Sequence, residues 1–495
     1  MKSIIVVNKI SDWPLKGLDI EVVTADDYLK SSSYSGQQTL RVLNLCRSYA
    51  YQRLGYYVSL VASARGHKPQ PSLTCIEDFK SPSMIRFISH ELDELIQDSL
   101  KHIHSDSFTM SIYFGRNVAK CYDKLANYLF KQFPAPFLQA RFTRIRDKWV
   151  LASIGPLSLS QIPEYHQDFA KEQAEDYLKA RKSLAGPRKK ATRYDLAILV
   201  NPDEENPPSN KKALQRFAKA AESIGLSTEF ITKSDFGRVA EFDALFIRET
   251  TQVNHHTYRF ARRAFANGLV VIDDPLSILR CCNKIFLYAL LEKHKIPIPY
   301  SFVIDKDEML AMADTIEYPV VIKQPDGAFS QGVTKADDPA SFIDKAGKYL
   351  EKSDLILVQE FLPSGFDWRV GVLDGKPLYA CKYYMVKDHW QIYKTEKGVM
   401  DCGDADTLPI EQVPKKVINI AVKAANLIGK GLYGVDIKEV NGRVYIIEVN
   451  DNPSIDAGVE DAFLGDGLYS EVMTAICNRI DKKKQKVFHV TSKGQ

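Results

Sequence analysis

Long apolar runs are missing from this sequence of 495 residues, in which no uninterrupted apolar stretch reaches about 18 residues. The apolar stretch near the N-terminus, Ile4 to Val7, is too short for the hydrophobic region of a signal peptide. We therefore expect no membrane partner and a cytoplasmic location.

A strong charge of one sign is also missing. Lys and Arg number 66 and Asp and Glu number 62, which gives a formal net charge of +4. Such a balance produces no strong field for nucleic acid, so we predict no nucleic-acid partner. The eight cysteines form no C-x-x-C spacing and no disulfide framework, which is typical of a reducing compartment. Whether the chain forms a homo-oligomer stays open.

The sequence is 45% hydrophobic, which is enough for roughly two to four globular domains. A basic segment at 181–193, broken by Gly-Pro, separates two regions of periodic apolar sequence and is predicted to be a linker. Before it, at 1–180, strand-like runs at 4–7 and 57–62 mix with a helical stretch at 91–102. We predict a separate α/β domain there.

Strands and helices alternate regularly after the linker. Strands are predicted at 196–200, 228–231, 244–247 and 270–272, with helices at 211–224 and 258–266. This alternation predicts a parallel sheet with crossover helices at 194–275. Residues 276–480 are predicted to combine helices with strands and hairpins, and 481–495 to form a basic tail.

The most informative segment is a predicted β-hairpin that carries three oxygen-bearing side chains. Asn441-Gly442 is a favoured dipeptide for a tight turn. Glu448 and Asn450 lie two residues apart, so they project from one face of their strand, and Asp436 lies roughly opposite Glu448. Three such oxygen ligands suit Mg²⁺. A solvated polar face is the alternative, and the apolar residues around the three argue against it.

A buried strand that ends at Lys323 runs into a loop with glycines at Gly327 and Gly332. Glycines let backbone N–H groups approach a phosphate, and the lysine supplies a point charge. The spacing matches neither the Walker pattern nor G-x-G-x-x-G, so the loop alone is a weak indication of a phosphate-binding lid.

A third feature is an apolar strand that ends at Glu360 and is followed by Asp367 and Arg369. Glu360 could face an adenine edge, and Asp367 could accept hydrogen bonds from a ribose. Arg369 shares a strand face with Asp367 and could neutralise a transferring phosphoryl group. A cross-strand ion pair is equally compatible with both residues.

Together these features resemble the ATP-grasp superfamily, and in particular its RimK-like branch of carboxylate–amine ligases. The similarity extends from about Tyr194 to Arg479, and the region before it resembles the N-terminal domain of some RimK-like proteins. The resemblance implies an α/β fold in which a pre-ATP-grasp parallel-sheet domain precedes the two α+β subdomains of an ATP-grasp fold. An additional N-terminal α/β domain would precede both.

The resemblance also implies how ATP is held. Adenine would contact Glu360 and the backbone of Phe361 and Leu362, and the ribose would contact Asp367. The phosphates would contact the remaining residues of the site, which are Lys284, Lys323, Ser330, Gln331 and Gly332.

The same resemblance implies the metal and catalytic roles. Asp436, Glu448 and Asn450 would bind two Mg²⁺ ions, with Glu448 bridging and Mn²⁺ as a substitute. Arg369 would stabilise an acyl phosphate, and Lys323 would share the neutralisation of charge.

The expected reaction is therefore an ATP-dependent, ADP-forming ligation of a carboxylate to an amine, with glutamate as one candidate substrate. The acceptor would be a peptide, a protein or a small metabolite. The alternatives are a small-molecule kinase on the same fold and a nucleotide-binding regulatory module without ligase chemistry. The three metal-binding residues argue against the last.

Three further expectations concern residues near the substrates. Ser454 follows Pro453 where relatives commonly have glycine, which could change how a carboxyl group is held. Lysines in the segment 382–394, namely Lys382, Lys387 and Lys394, are candidate carboxylate partners. The histidines His255, His256 and His389 fit no H-x-x-x-H or H-E-x-x-H frame, so structural or substrate-facing roles are expected.

Overall fold

The computed structural model of this chain describes residues 2–13, 20–34, 40–184, 192–327, 332–386, 390–396 and 399–492. The chain divides into two compact units. The first consists of Met1–Ala191 and Ser234–Glu241, and the second of Thr192–Lys233 and Phe242–Gln495.

The first unit contains one parallel and one antiparallel sheet. The parallel sheet has the strand order Glu21–Thr24, Ser3–Val7, Arg41–Asn44 and Lys68–Gln70. The antiparallel sheet consists of Ser107–Tyr113, Phe137–Ile145 and Lys148–Pro156. The α-helices are Ala25–Lys30, Leu54–Ala64, Leu73–Asp78, Pro82–Glu91, Asp93–Leu100, Asp123–Gln132 and Gln167–Leu184. The mixed α/β character expected here is confirmed.

One local prediction in this unit is wrong. The run 57–62, predicted as a strand, lies in the helix Leu54–Ala64, whose buried residues include Gly55, Val58 and Ala62. That spacing is typical of a helix. Periodicity alone cannot decide whether a short, mainly apolar run forms a strand or part of a helix. The helical stretch expected at 91–102 is confirmed by the helix Asp93–Leu100, which Leu92 separates from the helix Pro82–Glu91.

The second unit begins with the predicted parallel sheet. Its strand order is Val270–Ile272, Ala244–Ile247, Tyr194–Leu199 and Leu226–Ile231, with all pairs parallel. The helices Lys211–Ser223 and His256–Ala266 connect these strands. Both present alanine and phenylalanine to the sheet, and Phe217 and Phe260 are fully buried. The alternation found in the sequence is thereby confirmed.

Two antiparallel sheets follow the helices Pro275–Cys282 and Lys284–Lys293. The first has the order Ser301–Ile304, Ile356–Glu360, Val320–Lys323 and Val333–Ala336, with the helices Lys306–Met312 and Pro339–Leu350. The second has the order Ala405–Leu408, Lys376–Tyr384, Phe366–Leu373, Leu432–Val440 and Arg443–Asn450, with the helix Lys415–Ile428. A two-stranded ribbon, Tyr393–Glu396 with Val399–Cys402, lies in sequence between the strands Lys376–Tyr384 and Ala405–Leu408 of the second sheet.

The last helix is longer than expected. It runs from Asp466 to Ser492 and so continues into the segment 481–495, which the sequence predicts to be a basic tail. Its apolar residues Leu468, Val472 and Ile476 are fully buried and recur at helical spacing. Among the described residues, every helix is too short or too polar to cross a lipid bilayer.

Gly371, on the central strand Phe366–Leu373, lies directly beneath the ring of Tyr379. A Cβ atom at this position would lie 2.2 Å from the Tyr379 ring, which is itself buried. We therefore expect Gly371→Ala to lower the free energy of unfolding by about 1–3 kcal/mol, because the core would be overpacked. Chemical denaturation monitored by circular dichroism measures this change.

Gly347 provides the matched control. It lies in the helix Pro339–Leu350, and a Cβ added there meets nothing within 4 Å. Gly347→Ala is expected to raise the free energy of unfolding by roughly 0.5–1 kcal/mol, because alanine has the higher helix propensity. Equal effects of the two substitutions would contradict the steric explanation.

Candidate active site

A β-bulge aligns two carboxylates on the hairpin Leu432–Val440 and Arg443–Asn450. The turn residues Asn441 and Gly442 both have positive φ, 49° and 75°, as a tight primed turn requires. From this turn, regular pairing would place Asp436 opposite Ile447. The register instead shifts after Ile437, so Asp436 pairs with Glu448. The pairing expected from the sequence is confirmed, and the bulge supplies the extra residue that it needs.

Arg369 joins this cluster from the neighbouring strand, on which it lies directly opposite Asp436. Its Nε and Nη2 donate to the two carboxylate oxygens of Asp436 at 2.7 and 2.8 Å. Asn450 Nδ2 donates to Asp436 Oδ2 at 3.1 Å. Burial raises the pKa of Asp436, whereas the Arg369 guanidinium opposes that shift. Arg369 thus forms a cross-strand ion pair with Asp436.

Two further lysines pair with carboxylates of the cluster. Lys438 Nζ lies 2.6 Å from Asp367 Oδ1 and also donates to the hydroxyl of Ser364 at 2.6 Å. Lys284 Nζ donates to the carbonyl oxygen of Gly327 at 2.7 Å and lies 3.5 Å from Glu448 Oε1. Positive and negative groups thus alternate across the face of the sheet.

Lys323 is buried at the end of the strand Val320–Lys323. Burial lowers the pKa of its ammonium group to about 8, while Glu448 opposes this shift and Lys284 and Lys438 add to it. Such a group holds its proton weakly until an anion approaches it.

Two cavities meet at Asp436 and Glu448. One is lined by three lysines, Lys284, Lys323 and Lys438, and by residues of the strand that ends at Glu360. Its remaining lining includes Phe361, Leu362, Asp367, Val321, Val333 and Ile447. Apolar walls beside buried cations fit a nucleotide, whose base is planar and whose tail is anionic.

The second cavity has a volume of about 260 Å³ and is lined mainly by polar side chains. Arg369, Asn450 and Asp451 contribute from the strands and from the end of the hairpin, and the loop Thr250–Asn254 contributes from the edge of the parallel sheet. The oxygens of Asp436, Glu448 and Asn450 border this cavity and are the donor types that Mg²⁺ prefers, so the residues present fit a magnesium site.

Two family models match the chain. Residues 25–173 match a RimK-like ATP-grasp N-terminal domain, and residues 281–455 match an ATP-grasp domain. An alpha-aminoadipate–LysW ligase, LysX, of Saccharolobus solfataricus is 31% identical over 198 residues, which cover 38% of this chain and 67% of that protein. The chain belongs to the RimK-like ATP-grasp family. The family recognised from the sequence motifs is thereby confirmed, and ligases of this kind use ATP, generally with Mg²⁺.

Other proteins are also similar to this chain. A probable alpha-L-glutamate ligase of Legionella pneumophila is 28% identical over 225 residues, which cover 45% of this chain and 72% of that protein. A second LysX protein, from Sulfurisphaera tokodaii, is 30% identical, and the match spans 63% of its length. Among solved structures, a D-alanine–D-alanine ligase from Bacillus anthracis matches 60% of this chain and all of its own, with a TM-score of 0.46 and 16% identity.

Most of the predicted site residues of this ATP-grasp protein lie at the two cavities. Glu360 is held in place by a further contact, because the backbone N–H of Tyr300 donates to its carboxylate at 2.7 Å. Gly332 follows the loop with φ of 76°. Ser330 and Gln331 lie outside the described residues.

Lys382, one of the three lysines expected to meet a substrate carboxylate, lines neither cavity. Lys382 Nζ lies 4.7 Å from the ring centre of Phe366 and 5.0 Å from that of Trp368. Lys387 and the side chain of Lys394 lie outside the described residues, as does His389. Pro453 and Ser454 do line the second cavity, where the hydroxyl of Tyr379 donates to the Ser454 carbonyl at 3.2 Å.

Sequence reasoning missed two features of the ATP-grasp site. Lys438 lies two residues after Asp436 on the same strand, a spacing that could have placed it opposite Asp367. The second feature is Arg248, which is fully buried and donates to Asn452 Oδ1 at 2.7 Å and to the Pro453 carbonyl at 2.9 Å. Its position just after a parallel strand indicates the edge where ligands bind in open α/β sheets.

The lowered pKa of Lys323 gives the first functional prediction. Below a pH of about 8 the lysine is charged in the free protein, and a bound polyphosphate would raise its pKa. Because the bound form then holds more protons than the free form, ADP affinity should fall as the pH rises above about 8. Calorimetric titration of MgADP at a series of pH values measures this dependence.

Lys323→Arg is the matched control, because a guanidinium stays protonated over this range. The variant is expected to bind MgADP with little change across the same pH interval. An identical decline in the variant would assign the titration to another group.

Proposed function

We propose that this chain phosphorylates a carboxylate with ATP and couples the resulting acyl phosphate to the amine of a second substrate, at least one of the two being an amino acid. The observation that supports this most is the meeting of the two cavities at Asp436 and Glu448. One cavity suits a nucleotide, and the other offers a polar space next to the nucleotide's phosphate end.

The chemistry requires activation because a free carboxylate has a poor leaving group. A carboxylate oxygen would attack the terminal phosphorus of ATP, and ADP would leave. The amine nitrogen would then attack the acyl carbon, the C–O bond to phosphate would break, and the nitrogen would lose a proton. The protein's part is mainly to position the reactants and to neutralise charge.

The placement of the cations supports separate roles for them. Lys284 and Lys323 line the first cavity and would neutralise the phosphate tail. Arg369 lines the second and would stabilise the negative charge of the acyl phosphate and of the tetrahedral species that follows. Asp436 holds the Arg369 guanidinium in place, so little reorganisation would be needed when charge develops.

Asp436, Glu448 and Asn450 would hold the metal, with two Mg²⁺ ions as our proposal and Mn²⁺ as a substitute. When bound, magnesium neutralises the phosphate oxygens and polarises them. Lys284, at 3.5 Å from Glu448, would help to orient that carboxylate.

For the substrate, we propose an acidic amino acid, with glutamate as the first candidate. The support comes from relatives whose names state ligation of glutamate and of alpha-aminoadipate. The requirement for ATP agrees with the cytoplasmic location predicted from the sequence.

Glu448→Gln tests the metal-binding role. The substitution keeps the shape of the side chain but removes a negative charge, so magnesium-dependent ADP formation should fall by about 100-fold or more. A coupled assay of ADP release measures this loss. Glu439→Gln is the matched control, because Glu439 lies on the same hairpin and pairs with Lys416 outside both cavities. Similar losses in both variants would contradict the assignment.

The substrate is tested by a screen of amino-acid and peptide pairs, with products identified by mass spectrometry. Release of ADP should depend on both an acid and an amine, and glutamate should be incorporated with the loss of one water. Release that needs a single acceptor, with a phosphorylated product, would favour a kinase. Ligation without glutamate in any pair would exclude the proposed substrate but leave the ligase chemistry intact.

A further inference from the structure

A cluster of one carboxylate and two imidazoles lies beside the active-site loop. Ligand atoms of Glu249, His255 and His256 all lie within 4.8 Å of one another. His256 Nε2 is 2.9 Å from Glu249 Oε2, and the two imidazole ring centres are 3.9 Å apart. None of these side chains is used in the mechanism above.

The fold explains how these residues meet without a recognisable spacing. Glu249 follows the strand Ala244–Ile247 at the carboxyl edge of the parallel sheet. His255 is the N-cap residue of the helix His256–Ala266. The loop Thr250–Asn254 joins Glu249 to His255 and brings their side chains close together. Because the donors come from the two ends of one loop, the absence of an H-x-x-x-H frame does not exclude a metal site.

The carboxylate of Glu249 is incompletely satisfied. The residue is 2% exposed, and its Oε1 has no hydrogen-bond partner within the part of the chain that the structure describes. The contact with His256 accounts for Oε2 alone. A buried carboxylate oxygen without a partner is costly, and a cation at this position would satisfy it.

Negative charge nearby favours such a cation. The carboxylate of Glu204 accepts a hydrogen bond from the Thr250 backbone N–H at 3.2 Å. It also interacts electrostatically with both Glu249 and His256. Two carboxylates, those of Glu204 and Glu249, therefore lie near His256.

We propose that Glu249, His255 and His256 bind a zinc ion at a site separate from the magnesium site of the hairpin. Two imidazole nitrogens and a carboxylate oxygen are a donor set that zinc favours, whereas Mg²⁺ prefers oxygen ligands throughout. Three protein ligands leave a fourth position for water or for another group.

The location of the site suggests its consequence for the active site. The zinc ion would tie together the two ends of the loop Thr250–Asn254, all of whose residues line the second cavity. Bound zinc would thereby restrict the movement of this loop, which forms the part of the cavity wall next to the parallel sheet.

The test is zinc binding to the full-length, metal-stripped protein, measured by competition with a chromogenic chelator in the absence of nucleotide. The wild-type chain should bind about one zinc ion tightly. His255→Ala and Glu249→Gln should each weaken binding by roughly tenfold or more. His294→Ala, a change at an exposed histidine, should leave the affinity unchanged, as should Glu448→Gln.

Equal zinc affinity in wild type, His255→Ala and Glu249→Gln would overturn the proposal. Since Glu249 is buried, circular dichroism should establish that each variant is folded. If a variant does not fold, the site can still be tested with the wild-type protein, by recording its visible absorption spectrum with Co²⁺ bound. Co²⁺ in a tetrahedral site of this kind gives intense visible absorption. Strong bands that zinc abolishes would support the site, and a weak spectrum typical of octahedral cobalt would overturn it.

Discussion

The ion pair between Arg369 and Asp436 is the contact on which the arrangement of the active site depends. It joins the central strand of the five-stranded sheet to the hairpin, and both carboxylate oxygens of Asp436 take part. The side chains are 9% and 14% exposed, so water screens the interaction weakly. Removing one partner of such a pair typically costs about 3–5 kcal/mol, because the other charge is left buried and uncompensated. The pair therefore restricts where the remaining charges can lie, and Glu448, Asn450 and Tyr383 are arranged around it.

A second buried arginine connects this site to the parallel sheet within the same compact unit. Arg248 donates to the side chain of Asn452 and to the carbonyl of Pro453, which follow the strand Arg443–Asn450. Asn452 in turn donates to the Glu249 carbonyl at 2.7 Å, and Asp451 accepts from the Thr251 hydroxyl at 2.9 Å. The segment after the hairpin and the loop after the strand Ala244–Ile247 are thus fixed to each other. This is how residues about 200 positions apart in the chain form one cavity wall.

The sequence predicts the parts of this structure that depend on local periodicity. The parallel sheet, its crossover helices and the hairpin at Asn441-Gly442 follow from spacing and turn chemistry. Features that depend on tertiary packing are harder to predict from the sequence. The helix Leu54–Ala64 carries a strand-like run, and the bulge that aligns Asp436 with Glu448 shifts the register by one residue. Lys438 could have been found from strand alternation, whereas the partners of Arg248 lie too far away in sequence for any local pattern to show them.

The burial of charge at this site explains why its groups function as a cluster. Burial lowers the pKa of Lys323 and raises the pKa of Asp436, so each group alone is displaced toward its neutral form. Opposite charges nearby counteract both shifts, Glu448 for the lysine and Arg369 for the aspartate. In the proposed site, a nucleotide tail and its metal would add further negative and positive charge to the same region, so they would stabilise the ionised forms that burial disfavours. The free energy that desolvation costs the folded protein would thereby be partly recovered on binding, and the polar groups would need little reorientation for the proposed reaction.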